Sequence, residues 1–203
     1  MNQDQVALPN LGRMMVFVDG ENLVLRFQAM LNEGRKIRED ANIKHEKDIY
    51  VWSPYFTVKP GLNQVIRAYY YTYAFGDEAR LRHIKDQIKS MQSGQYQEHG
   101  AHSAIGKLIN QLYPIVFKKE RGKKAKGVDI QLTVDILSNV YKDNVDSIYL
   151  VSGDGDYKPV LEEAIRHGKH VFVAALSNGL NQELKYIADR FIDLDNYYFQ
   201  PLE

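Results

Sequence analysis

The chain has 203 residues, no cysteine, and 26 acidic against 26 Lys and Arg residues, so its formal net charge is zero. This length suits one domain with a full core, and the missing cysteines exclude disulfides, thiolate metal sites and thiol catalysis. The start, MNQDQVALPNLGRM, lacks a signal-peptide pattern, and no stretch approaches the ~18 apolar residues of a membrane span. We therefore expect a cytoplasmic protein without membrane contact, in which any nucleic-acid surface is a local basic patch.

In chain order, short apolar runs between turn residues predict strands, and apolar residues at helical spacing predict helices between them. The predicted strands are Met14–Val18, Val65–Phe75, Pro114–Lys118, Ser147–Val151, His170–Leu176 and Phe191–Leu194. The predicted helices are one that carries Leu23, Phe27, Met30 and Leu31 on one face, and Glu78–Ser90, Val128–Tyr141, Pro159–His167 and Leu180–Ala188. Ser177 or Asn178 is expected to cap the last helix. This alternation is typical of an α/β fold with a parallel sheet between two helical layers.

Residues 35–61 interrupt the alternation. The segment is first charged (RKIREDANIKHEKD), then aromatic (IYVWSPYF), and it ends at Pro60-Gly61. We interpret it as an insertion in a single domain that spans residues 1–203, folded partly as a loop or hairpin. Its aromatic residues Trp52, Tyr55 and Phe56 could stack on bases, but a core position or a dimer contact is the favoured role. The insertion is therefore a candidate homodimer surface.

Aspartates follow two of the predicted strands. Asp19 follows the first strand, and Asp154 and Asp156 follow the fourth in the segment SGDGD. The carboxyl ends of parallel strands form one rim, so these side chains converge if the two strands are neighbours. Asp129, at the start of a helix, could join them. Because like charges repel, such a cluster needs compensation, and a hard divalent cation with oxygen ligands supplies it.

Other side chains near this rim have weaker assignments. Asn22 could orient a ligand or a water, and Ser152 could contact phosphate. Glu21 lies in a first helical turn, where the helix dipole favours a carboxylate. Asp135 lies six residues after Asp129, about 120° around a helix, so both face one metal only if Asp129 precedes the regular helix. The alternative role of an aspartate after a strand is a turn or a helix cap.

A basic run leads directly into Asp129. Residues 118–126 read KKERGKKAK, a concentrated positive patch in a neutral protein. Such a patch could deliver a phosphate backbone to the acidic rim, although a solvated loop is the alternative. The candidate RNA-binding residues are Arg121, Lys123, Lys124 and Lys126.

Four segments together resemble a known family. They read MMVFVDGENL, KGVDIQLTVDIL, IYLVSGDGDYKPVLEEAIRHGKHVFV and LNQELKYIADRFIDL, in this order. They resemble the NYN domain of the PIN-like nuclease superfamily, and most closely its LabA-like branch. The resemblance covers most of the chain, except the insertion and residues 95–113. It implies a three-layer α/β/α, PIN-like Rossmannoid fold with a mostly parallel central sheet, and Mg²⁺- or Mn²⁺-dependent cleavage of RNA by clustered acidic residues.

The resemblance also assigns the acidic positions. The residues that match the family's acidic pattern are Asp19, Asp129, Asp135, Asp154 and Asp156, and Asn22 matches the companion of the first. No acidic position is lost, so the sequence carries no sign of an inactivated site. We therefore predict a ribonuclease for single-stranded or structured RNA, in which Asp19, Asp129 and Asp154 hold the metal. Asp156 and Asp135 would be further ligands or neighbours of the ligands.

Two other functions remain open. The same fold could be a non-catalytic, regulatory module that binds RNA, a nucleotide or a protein. It could also be another Mg²⁺ phosphotransfer enzyme of the topoisomerase–primase type, with Glu21, Asp154 and Asp156 as its acidic residues, or a hydrolase of small phosphoesters. A separate requirement for Asp129 distinguishes the ribonuclease from the topoisomerase–primase type of site.

Overall fold

The computed structural model describes residues 12–53, 64–91, 112–119 and 127–202. The strands of these residues are β1 (Arg13–Asp19), β2 (Lys44–Glu46), β3 (Tyr50–Trp52), β4 (Gln64–Ala74), β5 (Leu112–Lys118), β6 (Ser147–Val151), β7 (His170–Ala175) and β8 (Arg190–Asp193). The α-helices are α1 (Gly20–Asn32), α2 (Glu78–Lys89), α3 (Val128–Tyr141), α4 (Lys158–Arg166), α5 (Glu183–Ile187) and α6 (Asp195–Tyr198). None of the helices in these ranges combines the length and the apolar composition needed to cross a membrane.

A six-stranded sheet in the order β5-β4-β1-β6-β7-β8 forms the centre of the described structure. All neighbouring strands in it are parallel. Strands β4 and then β5 lie on one side of β1, and the later strands β6, β7 and β8 follow one another on the other side. In such sheets ligands bind beyond the carboxyl ends of the strands where the order reverses. The predicted α/β fold is confirmed. Strands β1 and β6 are parallel neighbours, with Val18 aligned to Val151, which meets the condition under which Asp19 and Asp154 share a rim.

Each face of the sheet carries its own hydrophobic core. On one face lie α1, α2, the β2–β3 hairpin and the C-terminal residues, and on the other lie α3, α4 and α5. Helix α3 shows why the sequence pattern predicts these layers, because its buried residues recur every four positions. They are Val128, Leu132, Ile136 and Val140. This spacing fixes which side of α3 faces the sheet, and with it the position of the first turn of α3.

The insertion at residues 35–61 is part of one core. Strands β2 and β3 pair antiparallel, which confirms a hairpin in this segment. Trp52 is fully buried and packs edge-to-face on Tyr70 at a centroid distance of 6.1 Å. The Tyr70 hydroxyl accepts a hydrogen bond from Val51 N at 3.0 Å and donates to Val51 O at 3.1 Å. Trp52 is therefore a core residue, whereas Tyr55 and Phe56 lie outside the described residues and a homodimer through the insertion stays a prediction.

The C-terminal residues differ most from the predicted elements. Helix α5 is five residues long and starts after Gln182, which makes no side-chain capping bond. The predicted cap is wrong: Ser177 instead donates its hydroxyl proton to the Asp195 carboxylate at 2.6 Å, which ties the residues after β7 to α6. Helix α6 has only four residues, too few for a helical period to be read from the sequence.

Candidate active site

Asp19 ends β1 and caps α1. Its Oδ1 accepts a hydrogen bond from Asn22 N at 3.0 Å, the usual bond of a helix N-cap. Its Oδ2 accepts a hydrogen bond from Ser152 Oγ at 3.0 Å. A Cβ on Gly20 would lie 2.5 Å from the carbonyl oxygen of Tyr71, so only glycine lets the helix start this close to β4. These contacts place the Asp19 carboxylate at the carboxyl rim, 3% exposed.

The residues after β6 are attached to the same helix start. Ser152 Oγ accepts a hydrogen bond from Asp154 N at 3.1 Å, in addition to donating to Asp19. Asn22 Oδ1 accepts a hydrogen bond from Gly153 N at 3.2 Å. Ser152 is 2% exposed. The structure therefore gives Asn22 and Ser152 the role of holding Asp19 and the segment after β6 together.

Asp154 caps a single 3-10 turn, Gly155–Tyr157. Its Oδ1 accepts a hydrogen bond from Asp156 N at 3.0 Å. Asp154 is half-buried, and Asp156 is exposed in the turn that Asp154 caps. The two residues thus share the rim with Asp19, and Asp156 lies on its outer, solvent side.

Asp129 reaches this group through Tyr157, a residue that the sequence prediction did not include. Tyr157 is 3% exposed, and its hydroxyl donates to Asp129 Oδ1 at 3.1 Å. Burial raises the pKa of Tyr157, and the charges of Asp19 and Asp129 raise it further, so the hydroxyl keeps its proton. The available sequence signal was the position of this tyrosine in Asp-Gly-Asp-Tyr, directly after a strand.

The pKa of Asp19 reflects its burial and the neighbouring carboxylates of the rim. Burial raises the pKa of Asp19 to about 7, against the lowering effect of the bonds from Asn22 and Ser152, and the charges of Asp129 and Asp154 raise it as well. Within the described ranges, no Lys or Arg forms an ion pair with any of these three carboxylates. A cation at the rim would therefore remove repulsion that the described protein groups leave uncompensated.

The donor chemistry of the rim fits a hard divalent cation, because its side chains offer carboxylate, amide and hydroxyl oxygens. The arrangement of these side chains, however, does not form a complete metal site. Among the described residues, no three His, Asp or Glu side chains lie together as a group that could hold a metal. The ligand set predicted from the sequence stays a prediction.

Asp135 has partners of its own. Its Oδ2 accepts a hydrogen bond from the Tyr71 hydroxyl at 2.7 Å, and its Oδ1 accepts one from Gln131 Nε2 at 2.9 Å. Burial raises the pKa of Tyr71, and the bond to Asp135 raises it further. Tyr71 is the β4 residue that aligns with Asp19. The structure therefore joins Asp135 to the sheet and does not join it to the carboxylates of the rim.

Cations are also present at this end of the sheet. Lys119 Nζ lies 3.4 Å from Glu21 Oε1, and both side chains are partly exposed. The four candidate RNA-binding residues Arg121, Lys123, Lys124 and Lys126 lie outside the described residues. Lys118 and Lys119 are thus the residues of the basic run that the structure describes, and Lys119 lies at the rim.

A parallel α/β sheet with aspartates at the point where its strand order reverses defines a Rossmann-like protein with an acidic candidate active site. Its family follows from comparison with known proteins. The chain belongs to the NYN domain family, whose profile matches residues 13–195. This family is part of the PIN-like nuclease superfamily, so membership indicates a nuclease or an RNA-related function. Its members are generally nucleases that typically use divalent metals.

The chain is also similar to individual proteins. The chain is 23% identical over 189 residues to the low amplitude and bright protein LabA of Synechococcus elongatus, covering 91% of this chain and 84% of that protein. It is 34% identical over 70 residues to an uncharacterised Methanocaldococcus jannaschii protein, and this match covers 34% of this chain and 29% of that protein. A crystal structure of a Vibrio parahaemolyticus protein of unknown function superposes with a TM-score of 0.58 at 18% identity, covering 96% of this chain and 100% of that one. This last similarity shows the fold alone.

Proposed function

We propose that the protein is a metal-dependent endoribonuclease that hydrolyses RNA phosphodiester bonds at the rim formed by β1, β6 and the start of α3. One observation carries the proposal. Asp19 is buried beside Asp129 and Asp154. Burial raises its pKa, the charges of these two residues raise it further, and no described Lys or Arg pairs with it. Buried carboxylates with perturbed pKa values are typical of functional sites. The nuclease character of the family supports the same function.

Three carboxylates would hold the ion, Mg²⁺ or Mn²⁺: those of Asp19, Asp129 and Asp154. When bound, the ion would supply charge stabilisation at the phosphate and a lowered pKa for water. Asp156 is exposed beside Asp154 and is assigned to the same site. Asp135 holds α3 against Tyr71 and is assigned a positioning role, with direct metal binding as the alternative.

The protein groups around the carboxylates keep them in place. Ser152 and Asn22 connect the segment after β6 to the start of α1, so Asp19 and Asp154 keep a constant separation. Tyr157 holds one oxygen of Asp129. Fixed positions of this kind lower the barrier of a reaction, because the reacting groups need little rearrangement. The chain thus orients the acidic groups by bonds that do not depend on the substrate.

RNA would reach the rim along the basic run. Arg121, Lys123, Lys124 and Lys126 are proposed to bind the phosphate backbone, and Lys119, just before them in sequence, lies at the rim beside Glu21. In a chain with zero net charge, a local patch has to supply the attraction for phosphates. RNA binding should therefore weaken strongly as salt concentration rises.

The test is cleavage of labelled single-stranded and structured RNA in Mg²⁺, Mn²⁺ or EDTA. Wild type, Asp154→Asn and the control Asp86→Asn, an exposed residue of α2, are compared. We expect cleavage by the wild type and the control in metal only, and a loss of at least about a hundredfold in Asp154→Asn. Equal cleavage in EDTA, or by Asp154→Asn, would contradict the proposal.

A second candidate is a non-catalytic module that binds RNA or a nucleotide for regulation. It is favoured by the engaged oxygens of Asp19 and by the missing three-residue metal group among the described residues. RNA binding in EDTA that survives Asp19→Asn, together with no cleavage in any metal, would support this candidate over the nuclease.

A further inference from the structure

Phe75 is an exposed aromatic residue at the carboxyl rim. It follows β4 directly and is 51% exposed, whereas the preceding Tyr73 and Ala74 are 6% and 2% exposed. Gly76 then turns the chain with a φ of +132°, a conformation that favours glycine. A single exposed aromatic residue is ordinary on a protein surface, so its significance depends on its neighbours.

Lys119 is the first of these neighbours. Its Nζ lies 5.8 Å from the centroid of the Phe75 ring and 5.4 Å from that of Tyr73. Its backbone N donates to Ala74 O at 2.8 Å, which holds the residue after β5 against the end of β4. An aromatic ring with a cation beside it offers a nucleotide a stacking surface and a partner for its phosphate.

The second neighbour is the acidic rim. The Tyr73 hydroxyl accepts a hydrogen bond from Val128 N at 3.1 Å, and Asp129 is the next residue of α3. Lys119 pairs with Glu21, two residues after Asp19. The Phe75–Lys119 pair therefore borders the rim at which the phosphodiester is proposed to react.

We propose that Phe75 and Lys119 form a subsite for one unpaired nucleobase of single-stranded RNA, next to the acidic rim. The base stacks on the Phe75 ring, and Lys119, which lies at the start of the basic run of residues 118–126, contacts an adjoining phosphate. The subsite rests on the proposed function in taking RNA as the ligand. It adds a preference for single strands, because a base in a duplex is already stacked and cannot reach the ring.

Tyr113 provides a matched control. It is also 51% exposed, and Arg67 lies over its ring at 5.0 Å, so it has the same combination of aromatic ring and cation. It pairs with Tyr69 near the start of β5, whereas Lys118 at the end of β5 pairs with Ala74. That places Tyr113 about 16 Å along the strand from the rim. A general affinity of exposed aromatic residues for RNA would involve both positions equally.

The experiment uses a short single-stranded RNA that carries one 2-aminopurine, bound to the whole chain in EDTA so that no cleavage occurs. We expect binding to quench the 2-aminopurine, and Phe75→Ala to remove the quenching and weaken binding about tenfold or more. Phe75→Trp should retain the quenching, and Phe75→Leu, which is apolar but has no ring, should not. Tyr113→Ala should behave as wild type. Thermal unfolding of each variant checks the fold.

The subsite and the nuclease can fail separately. Wild-type quenching and affinity in Phe75→Ala, or no quenching with the wild type, would overturn the subsite even if the protein cleaves RNA. Quenching that depends on Phe75, in a protein that cleaves nothing in Mg²⁺ or Mn²⁺, would overturn the nuclease and support the subsite as part of an RNA-binding surface.

Discussion

Tyr157 donates its hydroxyl proton to Oδ1 of Asp129 across 3.1 Å, which joins the turn after β6 to the first turn of α3. The Tyr157 ring is 3% exposed and lies in the core between the sheet and the helices α3 and α4. Asp129 itself is exposed. A buried and packed ring thus sets the orientation of a carboxylate that solvent can reach.

Replacing Tyr157 with phenylalanine removes the hydroxyl and keeps the ring. Because water can replace the lost bond to exposed Asp129, we expect the free energy of unfolding to fall by only about 1 kcal/mol. RNA cleavage should lose about tenfold or more in kcat with KM little changed, because the orientation of Asp129 is lost and the RNA-binding surface is kept. Steady-state kinetics and urea denaturation measure both effects. An unchanged kcat would mean that Tyr157 serves packing alone.

Tyr149→Phe is the matched substitution away from the rim. Tyr149 is fully buried in β6, and its hydroxyl has no hydrogen-bond partner in the part of the chain that the structure describes. Removing an unsatisfied buried hydroxyl should raise the free energy of unfolding by about 1 kcal/mol and leave cleavage unchanged. Urea denaturation gives the first value. A loss of stability would show that the Tyr149 hydroxyl has a partner in solution.

Asp19 makes stability depend on pH in the absence of metal. Its pKa is raised from 3.8 to about 7, so the folded protein holds a proton that the unfolded chain releases between these values. The contribution of Asp19 to stability is therefore complete below pH 4 and is lost as pH rises through 7. In EDTA, the wild type should lose roughly 2–3 kcal/mol relative to Asp19→Asn between pH 5 and pH 8. Parallel urea-denaturation curves of the two proteins at both pH values would contradict this.

Asp135→Asn distinguishes a positioning role from metal binding. The substitution weakens the bond from the Tyr71 hydroxyl, so we expect a loss of about 1–3 kcal/mol in the free energy of unfolding. Affinity for Mn²⁺ should stay within about twofold, since Asp135 is bonded to Tyr71 and Gln131 and to none of the carboxylates of the rim. Calorimetric titration with Mn²⁺ checks this. A large drop in affinity without a loss of stability would make Asp135 a metal ligand.

Much of the fold follows from local patterns in the sequence. The bounds of β6 and α3 match their predictions, because β6 is a short apolar run and α3 buries every fourth residue. The sequence places Asp19 near Asp154 on the condition that the strands before them are neighbours, and the parallel pairing of β1 with β6 meets that condition.

The contacts that orient the rim could not be predicted in the same way. The bonds from Tyr157 to Asp129 and from Tyr71 to Asp135 each join residues of different elements. Whether such side chains meet depends on how α3 packs on the sheet, which no local period specifies. The separation of Asp135 from Asp19, both of them candidate ligands by resemblance, is a result of that packing.

The central claim is that the carboxylates of the rim bind a divalent cation, and Mn²⁺ binding tests it most directly. The electron paramagnetic resonance signal of free Mn²⁺ is followed as the wild type, Asp19→Asn, Asp154→Asn and the control Asp86→Asn are added. We predict that the wild type and the control remove the signal with equal affinity, and that each of the other two variants binds about tenfold or more weakly. A wild type that leaves all Mn²⁺ free, or an Asp19→Asn variant that binds it equally well, would contradict the claim.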